Sequence, residues 1–76
     1  MTEAEWLEDF SYNLLGTMQY AGLNQKILAR ESGLSEASIS SYINGNKIPN
    51  AKTIVNLAYA LDCEVCELID FGETIE

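Results

Sequence analysis

The sequence has no histidine, one proline and only four basic residues among its 76. Histidine is the commonest general acid–base group and metal ligand, so without it little remains from which to build an active site. No apolar run approaches the ~20 residues that span a bilayer, and Thr2-Glu3-Ala4-Glu5 is acidic where a signal peptide is basic. We therefore expect a cytoplasmic protein that is not an enzyme, with no cofactor, metal, membrane or small-molecule ligand.

The charge is distributed unevenly along the chain. The length allows a single domain, residues 1–76, and 47% hydrophobic residues are too many for a disordered tail. A net charge of −8 argues against nucleic acid as a partner, because phosphate contacts need positive charge. The acidic termini 1–9 and 62–76, however, carry −10, whereas residues 10–61 hold all four bases and only two acids, a net +2. Function therefore depends on what this basic centre contacts.

Cys63 and Cys66 form a single C-x-x-C pair. A structural zinc site needs four ligands, and a redox pair needs a strand before the helix, whereas this region has a helical pattern throughout. We interpret both cysteines as small apolar filler residues, with a metal or redox role as the alternative.

Caps and helical spacing predict five helices and no strand. The first begins at the Thr2-to-Glu5 capping box and runs to about Tyr20, and the second is Gln25–Ser32. A third helix opens after Ser35, a fourth after Asn50, and a short fifth covers about 64–69. The expected core residues are Leu7, Phe10, Leu14, Met18, Leu28, Ala29, Ile39, Tyr42, Ile43, Ile54, Leu57, Ala58 and Leu61. The fold class is all-α.

Residues 25–44 have the spacing of a DNA-binding helix-turn-helix motif. Ala29 is small where the third helix must cross the second. Gly33 can take the left-handed φ that a tight turn requires, and Ile39 fills the crossing from the other side. The combination of Ala-x3-Gly-x5-Ile with a cap before each helix is moderately specific.

A wider set of residues carries a family resemblance. These are Leu23-Asn24-Gln25, Leu28-Ala29, Gly33-Leu34-Ser35, Ser38-Ile39-Ser40, Asn44-Gly45, Pro49 and Leu57-Ala58-x-x-Leu61. Through these residues, the segment from about 10 to 69 resembles the Cro/phage-repressor type of domain, which is also called xenobiotic-response-element or lambda repressor-like. The resemblance implies a five-helix lambda repressor-like DNA-binding domain, with the third helix in the major groove.

The resemblance also implies roles for individual residues. Glu36, Ala37, Ser40 and Ser41 match the base-reading positions of the third helix. Gln25, Asn44 and Lys47 match positions that contact DNA phosphates, and Lys26 beside Gln25 is a further candidate for a phosphate contact. The alternatives remain open. The four base-reading candidates could form a solvated helix face, and Gln25 could be an ordinary first-turn residue. Asn44 could be a helix C-cap, which is compatible with phosphate binding. Lys26 and Arg30 lie at i and i+4 and either add phosphate contacts or are solvated.

The sequence departs from the family pattern at several positions. Ser41 stands where an arginine is frequent, Thr17 and Gln19 stand where bases are frequent, and Asp62 replaces a helix-ending glycine. Glu36 places a carboxylate in the base-reading row, where it can accept from a cytosine amino group but also repels phosphate. These changes predict weak, salt-sensitive DNA binding or, in the limiting case, loss of DNA binding, with an unchanged fold.

The resulting hypothesis is a sequence-specific transcriptional regulator that binds double-stranded DNA as a homodimer and represses by covering an operator. The alternative is a protein-interaction module on the same scaffold, an antitoxin or antirepressor whose acidic ends bind a basic partner. Trp6 and Phe71 lie outside the family pattern. We expect them to pack the first helix against the C-terminal tail, the alternative being a dimer patch.

Overall fold

The computed structural model describes residues 2–69, and this part of the chain forms five helices and no strand. They are α1 (Glu3–Ala21), α2 (Gln25–Ser32), α3 (Glu36–Ile43), α4 (Ala51–Leu61) and α5 (Val65–Leu68). The all-α, five-helix prediction is confirmed. The fifth helix is shorter than expected, because its two outermost residues are caps in extended conformation. Over residues 2–69, no helix has the length and apolarity needed to cross a membrane.

The predicted N-caps start the helices. The Thr2 hydroxyl accepts from the Glu5 amide at 3.1 Å, and the Thr2 amide donates to the Glu5 carboxylate at 2.9 Å, which completes the capping box. The Thr2 backbone and side-chain hydrogen bonds hold the pKa of Glu5 below its ordinary value. Side chains of Asn24, Ser35 and Asn50 cap α2, α3 and α4 in the same way. Each of these four helices therefore begins where its local sequence satisfies a free amide.

Residues in left-handed conformation end α2 and α4. Gly33 ends α2 with φ 77°, as the tight turn requires. Asp62 ends α4 with φ 56° and is the one non-glycine residue of the described chain with positive φ. A short polar side chain tolerates this conformation better than most. Replacement of the family's glycine by Asp62 therefore leaves the turn intact, as predicted.

The core is a single cluster in which all five helices take part. The largest fully buried side chains are Phe10, Leu14, Leu28, Ile39, Leu57 and Leu68. Leu7 and Ile43 were expected in the core but are only half-buried at its edge. Leu68 and Ile69, which the periodicity did not single out, are buried. The short α5 and its C-cap thus add two residues to the core.

The two helices of the motif, α2 and α3, pack on each other, and α2 also packs against α4. The fifth helix packs against α1 and α4. Two side chains of α1 join these parts. Ser11 donates to the Tyr42 carbonyl of α3 at 2.7 Å, and Asn13 donates to the Leu68 carbonyl of α5 at 3.2 Å. The first helix therefore braces both the third and the fifth.

The remaining expectations have mixed outcomes. Cys63 packs against the core, as interpreted, but the filler interpretation is wrong for Cys66, which is exposed because it lies on the outer side of α5. Within residues 2–69, no group of three or more potential metal ligands occurs.

Trp6 is half-buried and stacks on Phe10, with ring centroids 5.7 Å apart. Its expected partner Phe71 lies outside the described residues.

Candidate nucleic-acid interface

The third helix has one buried and one accessible side. Ile39 and Tyr42 point into the core, where they are buried. On the other side, all four residues expected to read bases reach the surface: Glu36 and Ala37 are exposed, and Ser40 and Ser41 are half-buried. Positions i, i+1, i+4 and i+5 share a helix face. This face is therefore available to a ligand without disturbing the core.

The start of α3 is rigidly capped. The Ser35 hydroxyl accepts from the Ser38 amide at 3.0 Å and donates to the Ser38 hydroxyl at 3.1 Å. Glu36 lies in the first turn, where its negative charge is favourable to the helix dipole. The ion pair found among residues 2–69 is Arg30–Glu31, so the carboxylate of Glu36 is not neutralised by a base there. It stands exposed at the tip of the candidate surface.

The N-terminus of α2 has the features of an anion site. Asn24 accepts from the Ile27 amide with its side chain and from the Leu28 amide with its carbonyl. Within residues 2–69 the amides of Gln25 and Lys26 have no hydrogen-bond partner, and both side chains are exposed. The first turn holds no acidic residue. Free amides and the positive end of the dipole favour a phosphate here.

Asn44 lies at the other end of the surface and is the C-cap of α3. The C-cap interpretation is confirmed, because the backbone amide of Asn44 donates to the Ser40 carbonyl at 3.0 Å. The side chain of Asn44 is not used for capping. Its carboxamide NH2 group donates to the Ser40 hydroxyl at 3.3 Å, and the residue is exposed. The structure thereby brings Asn44 together with one of the expected base-reading residues.

Lys47 lies against an aromatic ring of the core. Its ammonium nitrogen lies 5.5 Å from the ring centroid of Tyr42, a cation–π contact, and that ring packs edge-on against Phe10. The turn at Gly45, with φ 73°, returns the chain toward α3. Sequence spacing alone did not reveal this contact, because it depends on how the turn folds back. It places a positive charge beside the end of α3.

Lys52 is a candidate that the sequence reasoning missed. It occupies the second position of α4, as Lys26 does in α2, and both helices begin after an asparagine cap. Neither first turn holds an acidic residue, whereas those of α1, α3 and α5 do. The sequence therefore contained a signal for Lys52: the first turn of its helix lacks acidic residues in a chain that has 12 of them. Arg30 is less available, because it pairs with Glu31 at 3.7 Å.

Comparisons with known proteins identify the family and the fold. The Cro/C1-type helix-turn-helix DNA-binding domain matches residues 13–73. The fold is similar to the crystal structure of the restriction-modification controller protein C.AhdI from Aeromonas hydrophila, with a TM-score of 0.80 and 33% identity over 83% of this chain and 96% of that one. No curated protein matches. The chain belongs to the Cro/C1-type family of helix-turn-helix DNA-binding domains.

Proposed function

We propose that this DNA-binding transcription regulator is a sequence-specific repressor that acts as a dimer covering a promoter-proximal operator. The observation that carries the proposal is the accessible face of α3, which lies between the free amides of α2 and the lysine held over Tyr42. Such a face enters the major groove while the flanking groups hold the backbone. A solved structure that is similar to this chain is a restriction-modification controller, which supports a regulatory role.

Four residues of α3 are proposed to read bases. The hydroxyls of Ser40 and Ser41 can donate to or accept from any base edge, and the methyl group of Ala37 suits a thymine methyl group. Glu36 accepts from the amino group of cytosine. These side chains are short, so α3 must lie deep in the major groove to reach the bases. The absence of charged residues from Ala37 to Asn44 permits this, because no carboxylate there repels the phosphates.

The proposed phosphate contacts lie on both sides of these four residues. Gln25 and Lys26 hold one phosphate at the start of α2, and Asn44 with Lys47 hold another after α3. Lys52, at the start of α4, extends the second contact. Together they provide three lysines per chain for DNA.

A dimer is proposed because a single recognition helix reads too few base pairs for useful specificity. An apolar groove of about 370 Å³ lies between α1, α4 and α5. Its lining includes Trp6, Ile54, Val55, Val65 and Ile69 and no charged residue. In a chain with 21% charged residues, such a surface suits a second copy, because two-fold symmetry places the same apolar patch on both sides.

Selection of bound duplexes from a random DNA pool at low salt tests the proposal. We expect recovery of a motif with two related half-sites about one helical turn apart. Recovery of no motif would instead favour the protein-interaction module, since the same scaffold would then be folded but unable to read DNA.

The proposed dimer predicts the stoichiometry on DNA. Val55 is 55% exposed within the apolar groove, and Val55→Asp places a charge there. We expect two chains per site for the parent protein by analytical ultracentrifugation, and loss of this species at the same concentration for the variant. Tyr59→Asp changes the same charge on the same helix outside the groove and should retain the dimer. One parent chain per site would contradict the proposal.

The salt dependence follows from the small number of bases. With four basic residues per chain, of which two or three reach phosphate, the slope of log K against log salt should be on the order of −4 to −5 for a dimer. Titrations by fluorescence anisotropy between low and physiological salt measure it. A slope near −10 would show that the binding face has been assigned incorrectly.

Glu36→Gln separates two roles of this carboxylate. If Glu36 reads cytosine, the change should weaken binding to the cognate site by about 1–3 kcal/mol and relax the preference at one base pair. We expect this result, measured by competition between the selected site and its single-base variants. If the charge serves only the helix dipole, cognate and random DNA should both bind slightly tighter by similar factors. Equal tightening would therefore refute base reading.

A further inference from the structure

A second groove, of about 400 Å³, lies where the end of α1 meets the junction of α4 and α5. Its floor is apolar, formed by Leu23, Ala60 and Leu61. None of Gln25, Lys26, Asn44, Lys47 or the base-reading residues lines it. The groove is therefore separate from the proposed DNA contacts and from the apolar groove of the proposed dimer.

The α4–α5 side of this groove is acidic. Asp62 and Glu67 belong to its lining, and none of the chain's four basic residues does. Cys63 lies between them, and the pKa of its thiol is raised, first by burial and then by the nearby carboxylates of Glu67, Glu64 and Asp62. The same negative potential that opposes a thiolate attracts a cation.

The α1 side of the groove is aromatic and uncharged. No charged residue occurs from Phe10 to Gln25. Tyr20 lines the groove and is 95% exposed. Exposed tyrosines offer large, rigid contact area and a ring face for cations, so they are typical of binding surfaces.

We propose that this groove binds a basic, amphipathic segment of a partner protein. Apolar side chains of the segment cover the floor, while its Lys or Arg side chains pair with Asp62 and Glu67 and stack on Tyr20. DNA and anionic membranes do not suit the groove, because its carboxylates repel phosphate. The regulator then holds DNA with one surface and a positively charged protein segment with another.

The test uses the full chain, labelled with 15N, and a defined probe. The probe is an 18-residue amphipathic helical peptide made of Lys, Leu and Ala, and its counterpart carries Glu in place of every Lys. We expect the basic peptide to shift the amide signals of Tyr20, Ala60 and Cys63, and the acidic one to shift none. Shifts centred elsewhere, or none with the basic peptide, would overturn the proposal.

Two charge-matched double variants distinguish this groove from general attraction to an acidic protein. Asp62→Asn/Glu67→Gln keeps both conformations, since asparagine tolerates positive φ and glutamine still accepts the hydrogen bond from the Glu64 amide. It should weaken the basic peptide roughly fivefold, as expected for two partly exposed ion pairs. Glu3→Gln/Glu8→Gln removes the same charge from the start of α1 and should change the affinity less than twofold. Equal weakening by both would refute the proposal.

The contact with Tyr20 provides a second, uncharged test. Because its side chain is 95% exposed, Tyr20→Ser leaves the core unchanged. Loss of ring stacking and apolar contact should weaken the basic peptide by a further fewfold. An unchanged affinity, with the fold verified by its spectrum, would contradict binding along the α1 side of the groove.

Discussion

Leu28→Ala should lower the free energy of unfolding by about 2–5 kcal/mol, the range observed for buried leucines. Leu28 has no exposed surface and lies in α2, which packs against both α3 and α4. The lost side chain leaves a cavity at this junction that rigid helices fill only in part. Because a domain of this size has only several kcal/mol of stability in total, we expect a large unfolded fraction at 37 °C and loss of DNA binding.

Leu15→Ala is the matched control. It removes the same atoms from a side chain of α1 that is 41% exposed, so it should lower the free energy of unfolding by less than about 1 kcal/mol. Urea unfolding followed by circular dichroism measures both. Similar losses for the two variants would contradict the position of the core described above.

Gln25→Glu should weaken DNA binding about 100-fold at low salt while slightly stabilising the fold. The new carboxylate lies at the first position of α2, where it interacts favourably with the helix dipole by about 0.3–1 kcal/mol. The same charge occupies the proposed phosphate site and repels the backbone. Since the proposed dimer carries the change in both half-sites, the two penalties add to roughly 3 kcal/mol.

The opposite signs of the two effects make this test decisive. A rise in melting temperature with a fall in affinity is not expected from misfolding. Tyr59→Glu provides the charge control, because it adds the same charge near the far end of α4, about 14 Å along the helix from the Asn50 cap. It should weaken DNA binding much less. Equal weakening would mean that only net charge matters and that α2 does not contact phosphate.

Much of the fold was predictable because its determinants are local. The caps at Thr2, Asn24, Ser35 and Asn50 satisfy amides three residues away, so each helix start is encoded within four residues. Gly33 is equally local, since only its own φ matters. The order and lengths of α1 to α4 followed from these signals and from helical spacing.

What could not be predicted depends on contacts between distant parts of the chain. Leu68 is buried because Asn13 and the rest of α1 receive α5, and no spacing rule reports this for a four-residue helix. Lys47 is placed by its contact with Tyr42, which requires the fold of the intervening turn. The candidate base-reading residues follow from the family pattern and the helix face, whereas the order of their contacts with bases requires the DNA itself.

The packing of α5 on α1 has a consequence for the order of folding. The hydrogen bond from Asn13 to Leu68 joins residues 55 positions apart, so it closes most of the described chain into one loop. The contacts of α2 with α3 and α4 span shorter segments and cost less entropy to form. We expect α5 to dock last and to open first, as faster hydrogen exchange at the hydrogen-bonded Ile69 amide than at the buried amides of α2 and α4 would show. Such an opening removes part of the apolar groove while α3 remains supported, so the proposed dimer can be lost without unfolding the helix-turn-helix.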